Sequence, residues 1–75
     1  MATNEELNEQ YPILRWFDAD HLPAGVRDHS EAFGRLAWTM AQSLPRCAET
    51  SAALRKLLEA KDCAVRAAIL GKEGN

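Results

Sequence analysis

The stretch that decides the fold is residues 53–67, ALRKLLEAKDCAVRA. It is rich in Ala, Leu, Lys, Glu and Arg, which are the residues that favour an α-helix most strongly. At about 100° per residue, one face of this helix collects the apolar side chains. They are Leu54, Leu57, Leu58, Ala64, Val65 and Ala68. An apolar stripe of this kind has to pack against another element, so we expect the rest of the chain to supply one.

A second long helix is predicted over residues 23–44. Pro23 suits the first turn of a helix, and Pro45 ends one. Its apolar positions alternate by four and three residues, which favours pairing with another helix. They are Val26, Phe33, Ala37, Met40 and Leu44, with Ser30 in the remaining slot. The short turn that follows predicts an antiparallel return through a helix over residues 48–70.

The two ends of the chain complete the predicted domain. In residues 1–22, Thr3 or Asn4 is the candidate cap of a short helix, and Pro12 interrupts that helix before a linker begins. After the last helix, Gly71 is expected to stop it and leave residues 71–75 as a tail. The fold class is therefore all-α: one domain, residues 1–75, with a short N-terminal helical segment and a long antiparallel helical hairpin.

Lys61 lies within about 20° of the centre of the apolar face of the last helix. An ammonium group there needs a carboxylate, a set of carbonyl groups or an anionic ligand. One interpretation is a buried charge pair or a polar residue that sets the register of the helix seam, and the other is a seam that opens onto a site for an anion. We predict the structural role, with a carboxylate partner across the hairpin or across an interface.

Apolar surface beyond the two stripes predicts a homo-oligomer, because chains below about 80 residues often complete their cores by association. On the first long helix, Gly34, Trp38 and Ala41 form a flank away from the stripe. The last helix adds a small-residue face suited to a close helix contact. That face consists of Ala60, Ala64 and Ala67.

Composition excludes several classes of function. The net charge of −2 argues against a coat for DNA or RNA polymers. No stretch approaches the roughly 20 apolar residues of a membrane span, and the polar start MATNEELNEQ does not resemble a signal peptide. Cys47 and Cys63 lack metal-ligand spacing, so we expect free thiols in a reducing cytoplasm, no metal and no cofactor.

Catalytic motifs are missing from the sequence, so we expect a protein that is not an enzyme. His21 and His29 are isolated, and most carboxylates are expected on solvated helix faces. The pairs Asp62–Arg66 and Arg55–Glu59 have the spacing of surface ion pairs.

Four segments carry a resemblance to a known family: YPILRWF, HLPAGVRDHSEAFGRLA, SLPRCAETSAALRKL and, most distinctively, LLEAKDCAVRA. Together they span roughly residues 11 to 70. This part of the chain resembles the small phage anti-CBASS sponge proteins, which sequester nucleotide second messengers in the cytoplasm of an infected bacterium. The resemblance implies a helical hairpin assembled as a homohexamer. It also implies that cyclic dinucleotides bind between paired protomers, that cyclic trinucleotides bind where three protomers meet, and that neither is cleaved.

The resemblance also implies the ligand-binding residues. The family's stacking tyrosine corresponds to Tyr11, although a simple packing role at the end of the first helix is the alternative. Trp16 and Phe17 are the next candidates for stacking, unless they pack on the hairpin. A family lysine falls on Arg27, which keeps the phosphate-binding charge but changes its geometry and leaves the ligand preference open. An arginine of the threefold pocket falls on Arg66.

Three alternatives remain open at this stage. A helical-hairpin module that binds only other protein chains explains Lys61 and the apolar flanks without a ligand. A sponge for a Thoeris-type cyclic ADP-ribose messenger is the second alternative. A hydrolase of the messenger is the third, although no acid–base or metal constellation is visible in the sequence.

Overall fold

Two antiparallel helices form the frame of the molecule in the computed structural model, which describes residues 2–74 and the side chains of residues 2–71. The first is α2, Ala24–Ser43, and the second is α3, Ala48–Gly74. They follow the N-terminal helix α1, Asn4–Gln10, and a 3₁₀ helix, Pro12–Phe17. The described residues contain no strand. The all-α hairpin predicted from the sequence is confirmed.

The helix ends differ from the prediction in three places, the smallest of which is that α2 ends at Ser43 with Leu44 as its C-cap. Pro23 is the N-cap of α2 rather than its first residue, and no side chain caps that end. Gly71 does not stop α3, which continues to Gly74. A glycine lowers helix stability but does not forbid helical backbone, and Gly71 has no positive φ. The predicted tail is therefore helical as far as Gly74, and Asn75 lies outside the described residues.

The predicted cap of α1 is confirmed for Thr3. Its hydroxyl accepts a hydrogen bond from the backbone N–H of Glu6, and the carboxylate of Glu6 accepts one from the backbone N–H of Thr3. This reciprocal arrangement is a capping box. The hydrogen bonds from the backbone and the hydroxyl of Thr3 lower the pKa of the Glu6 carboxyl.

The predicted linker contains the 3₁₀ helix. The three-residue period of this helix divides its side chains into a buried row and a more exposed row. Tyr11, immediately before it, and Leu14 and Phe17 within it are only 4%, 1% and 3% exposed. These residues recur every third position, and side chains three apart eclipse each other on a 3₁₀ helix. Ile13 and Trp16 form the next row, which is partly or largely exposed.

The core is formed where this N-terminal segment packs on the hairpin. Its buried residues come from all four helical elements and from the residue between α1 and the 3₁₀ helix. They are Leu7, Tyr11, Leu14, Phe17, Ala37, Ala41 and Leu54. We call residues 34–57 the loop half of the hairpin, because they flank its turn and carry this core. Residues 24–33 and 58–71 are the open half.

Close packing explains the small residues of α2. A Cβ atom added at Gly34 would lie 3.2 Å from the carbonyl oxygen of Phe17, so the 3₁₀ helix approaches α2 at this glycine. Gly34 and Ala41 are buried, and Trp38 is half-buried against the core. The flank that we assigned to an oligomer contact is therefore covered by the chain's own 3₁₀ helix. That part of the sequence argument for association was wrong.

Candidate functional site

The aromatic candidates separate by exposure. Tyr11 and Phe17 belong to the buried row of the 3₁₀ helix, whereas Trp16 is 60% exposed. Base stacking requires an accessible ring face. Stacking on Tyr11 or Phe17 stays a prediction, and it now requires the core to open. Trp16 is already accessible, and the guanidinium carbon of Arg15 lies over its ring, 5.3 Å from the centroid.

Arg27 is engaged within its own chain. Its Nε and Nη2 donate hydrogen bonds to the carbonyl oxygen of Leu22, at 3.2 and 2.9 Å. This holds the segment that leads into α2, and the side chain is half-buried. A phosphate contact by Arg27 would have to use its remaining donors or replace these two bonds.

Arg66 is exposed on α3, and its Nη2 donates to the Sγ of Cys63 at 3.3 Å. The predicted pair between Asp62 and Arg66 is not formed; the carboxylate of Asp62 instead pairs with the ammonium group of Lys61, at an N–O distance of 2.9 Å. A thiol is a weak acceptor, so most of the hydrogen-bonding capacity of this guanidinium remains for a ligand.

Lys61 does lie in the helix seam, with a side chain only 11% exposed. Its partner is the neighbouring Asp62. The predicted carboxylate partner across the hairpin is therefore wrong. Ser30 occupies the predicted slot on α2 and is fully buried. Its hydroxyl has no hydrogen-bond partner among the described residues.

One cleft lies between the 3₁₀ helix and α3, with a volume of about 240 Å³. We call it the Tyr11 cleft. Its lining is apolar on the side of the 3₁₀ helix and polar on the side of α3. The residues are Gln10, Tyr11, Pro12, Ile13, Ser51 and Arg55. The hydroxyl of Tyr11 is buried and, like that of Ser30, has no partner in the described part of the chain.

A second hollow of about 420 Å³ lies on the other side of the 3₁₀ helix. Trp38 and Phe17 contribute to its wall, and Arg15, Asp18 and Asp20 bring charges of both signs. The carboxylate of Asp18 accepts the backbone N–H of Asp20 and so stabilises the turn after the 3₁₀ helix. The mixed charge gives this hollow no clear preference for an anion.

The predicted site residues are not gathered in one place within a single chain. Arg55, at the Tyr11 cleft, is 11 positions before Arg66, which is about 16 Å along α3. Since α2 and α3 are antiparallel and joined by a short turn, Arg27 lies level with about residue 64 of α3. Arg27 and Arg66 thus share the open half, whereas Tyr11 packs against the loop half.

Sequence reasoning missed Ser51 and Arg55 as candidate site residues. The predicted pair of Arg55 with Glu59 is not formed, and the only ion pair among the described residues joins Lys61 and Asp62. The spacing of Arg55 from Glu59 is also that of an ordinary surface ion pair, so it does not point to a binding role. Nothing in the sequence shows that Tyr11 folds against this part of α3. A three-residue period in residues 11–17 was the one available signal.

No protein-family model, curated protein or solved structure matches the chain. Within residues 2–71, no three His, Cys, Asp or Glu side chains are grouped closely enough to hold a metal ion. The helices of the described residues are too short or too polar to cross a membrane.

Proposed function

We propose that the protein is a phage immune-evasion protein that binds cyclic di- or trinucleotide messengers and sequesters them without cleavage. It would act in the cytoplasm of the infected bacterium, as a homo-oligomer, and block CBASS-type signalling. The observation that carries the proposal is the exposed ring of Trp16, which lies on a helical scaffold beside the exposed guanidinium group of Arg15. Flat rings bind bases and guanidinium groups bind phosphates, so the surface suits a nucleotide.

The proposed symmetric assembly would multiply these contacts. A twofold interface presents every residue twice, and a threefold junction presents it three times. One Trp16 and one arginine per chain then become several stacking and phosphate contacts on a ring-shaped ligand. Stacking is worth about 1–3 kcal/mol per base, so two stacks contribute about 2–6 kcal/mol, to which charge-assisted hydrogen bonds add. Residues that lie apart in one chain, such as Arg27 and Tyr11, meet only if neighbouring chains supply them.

The test is a retention assay followed by heat release. The protein is incubated with a panel of cyclic di- and trinucleotides, filtered to remove free ligand, and then denatured. We expect intact messenger to be retained and released. A degraded messenger would indicate a hydrolase. No retention would favour the helical interaction module, whose specific support is the exposure of Leu36, Leu44 and Leu70. A cyclic ADP-ribose messenger in the same panel tests the Thoeris-type alternative.

Two substitutions locate the ligand within this assay. Trp16→Ala should reduce dinucleotide retention, whereas Leu36→Ala, which also removes an exposed apolar side chain, should not. Arg66→Ala should remove trinucleotide binding and spare dinucleotide binding, with nearly unchanged thermal unfolding because the side chain is exposed. Equal retention by all three variants and the parent protein would move the binding surface elsewhere.

A further inference from the structure

We infer that the hollow beside the 3₁₀ helix that Trp38 lines binds a small organic cation, namely a free aliphatic diamine. We call this hollow the Trp38 hollow. The inference goes beyond the proposed function, which concerns an anionic messenger. Its ligand has the opposite charge and contacts Asp18 and Asp20, to which the proposed function assigns no role.

Two carboxylates at the Trp38 hollow have no cationic partner. In the part of the chain that the structure describes, neither Asp18 nor Asp20 forms an ion pair, and both residues are exposed. One oxygen of Asp18 accepts the backbone N–H of Asp20 at 3.0 Å. A carboxylate has about four lone-pair sites, so this bond leaves most of the acceptor capacity of the pair to the N–H groups of a ligand.

Arg15 is the cation that lines the hollow, and it is occupied elsewhere. Its guanidinium carbon lies 5.3 Å from the centroid of the Trp16 ring, and it pairs with neither aspartate. The lining therefore carries two negative charges and one positive charge. The wider surroundings have the same sign, since residues 2–22 contain five carboxylates and one guanidinium. A surface with this excess raises the local concentration of cations.

The indole of Trp38 distinguishes an organic cation from a metal ion. Trp38 is half-buried and lines the hollow, and indole is the aromatic ring that attracts a cation most strongly. Its apolar surface also suits the methylene groups of an amine. A metal ion needs more oxygen or nitrogen ligands, and residues 2–71 hold no group of three His, Cys, Asp or Glu side chains suited to one.

The size of the hollow agrees with a small molecule. Its volume of about 420 Å³ lies within the roughly 300–1,000 Å³ that is typical of ligand sites. A four-carbon diamine such as putrescine fits this space, with one ammonium group near the aspartates and its chain along the indole. The amide of Asn8, on α1, offers a further oxygen for the second ammonium group.

The experiment titrates putrescine into isotope-labelled protein and follows the NMR spectrum. We expect saturable shifts at the indole Nε1–H of Trp38 and at the backbone amides of Asp18 and Asp20. The amides of residues 60–67, in the open half, should not move. Butanediol is the neutral control of the same chain length, and sodium chloride at the same ionic strength controls for screening. Neither control should reproduce the shifts.

Substitutions of the charged lining residues test the contacts. Asp18→Asn and Asp20→Asn should each weaken putrescine binding about threefold, the scale of an exposed ion pair. Asparagine keeps the shape of the side chain and, at position 18, an oxygen for the backbone N–H of Asp20. Arg15→Gln should strengthen binding, because it removes the like charge. The matched control is Asp28→Asn, which removes an exposed carboxylate outside the hollow and should leave binding unchanged.

Three results would overturn the assignment. They are equal shifts with butanediol or sodium chloride, no shifts at the hollow with millimolar putrescine, and an equal loss of binding in the Asp20 and Asp28 variants. The amide of acetyl-lysine is a further probe, because it carries the ammonium group of a protein side chain. Tighter binding of this probe than of putrescine would assign the hollow to a lysine of a partner protein and would rule out the free diamine.

Discussion

Lys61 lies at the centre of the apolar face of α3, yet its charge is neutralised by the adjacent residue. Consecutive residues on an α-helix point about 100° apart, so the lysine side chain must bend around the helix to reach Asp62. The aliphatic stem then covers the seam while the ammonium group approaches its edge. Asp62 keeps 46% of its side chain exposed, so the pair remains in contact with water.

Replacing Lys61 with Met should leave the free energy of unfolding unchanged or raise it. Met keeps the apolar stem in the seam, and Asp62 reaches water when its partner is removed. Urea unfolding measures the change, with Lys56→Met as the control because that lysine is exposed and outside the seam. A loss of more than about 1.5 kcal/mol, relative to the control, would show that the charge itself holds the seam together.

The thiol of Cys47 is predicted to ionise more readily than the thiol of an ordinary cysteine in solution. It precedes α3, its Sγ lies 3.5 Å from Oγ1 of Thr50, and hydrogen bonding with the hydroxyl and the backbone of Thr50 lowers the pKa of its thiol. The thiolate is the form that reacts with iodoacetamide, so the alkylation rate should rise at lower pH than in the urea-unfolded chain. The measurement uses Cys63→Ser protein, in which Cys47 is the remaining cysteine.

Thr50→Val serves as the matched variant for this measurement, because valine keeps the shape of the side chain and removes the hydroxyl. It should shift the alkylation profile towards higher pH. Identical profiles for the two proteins would show that Thr50 does not influence the thiol. The substitution also removes the hydrogen bond to the carbonyl of Pro45, so thermal unfolding should be recorded beside it.

Among the elements, α2 and α3 were predictable from the sequence because each repeats its apolar pattern over five or more turns. The 3₁₀ helix was not, since six residues give only two repeats of a three-residue period. Its position decided much of the candidate site: it buries Tyr11 and Phe17, exposes Trp16 and brings Ile13 to Arg55. The sequence alone does not show whether an aromatic residue packs on its own chain or stays accessible to a ligand.

The contact between the 3₁₀ helix and α2 should make Gly34 sensitive to substitution. Gly34→Leu should lower the free energy of unfolding by about 1–3 kcal/mol, because its side chain meets the backbone of Phe17. Gly71→Leu is the control, since a Cβ atom there meets nothing within 4 Å. It should be neutral or stabilise α3 by up to about 0.8 kcal/mol through helix propensity. Equal effects at both positions in urea unfolding would contradict the packing described for the 3₁₀ helix.

At the scale of the molecule, the surface left for association is smaller than the sequence suggested. Gly34 and Ala41 are buried and Trp38 is half-buried, but Ala60 and Ala67 are exposed on α3, and Leu70 is 66% exposed beyond them. Residues 60 and 67 are seven apart and therefore lie on one face of the helix. This face allows close approach of a helix from a second copy, as the proposed homo-oligomer requires.

Ala60→Glu should disrupt that association without unfolding the chain. A glutamate on an exposed position costs the single chain little, but it places an unpaired charge in a close helix contact. Ala64→Glu is less informative, because Ala64 is half-buried in the hairpin itself. Equilibrium sedimentation at micromolar concentration should show an oligomer for the parent protein and smaller species for Ala60→Glu, with unchanged circular dichroism. A parent protein that is only monomeric would refute the assembly.

The unequal covering of the hairpin has a consequence for its motion. The core cluster lies at the loop half, where the 3₁₀ helix contacts both α2 and α3, whereas none of residues 58–71 of α3 is buried. Backbone amides with fewer buried neighbours exchange their hydrogens through local opening of lower free energy. Exchange along α3 should therefore quicken from Leu54 towards Leu70. A ligand that binds at Arg66 would reduce local opening in the part of α3 that opens most readily. A ligand that binds at Arg55 would contact a part of α3 that rarely opens.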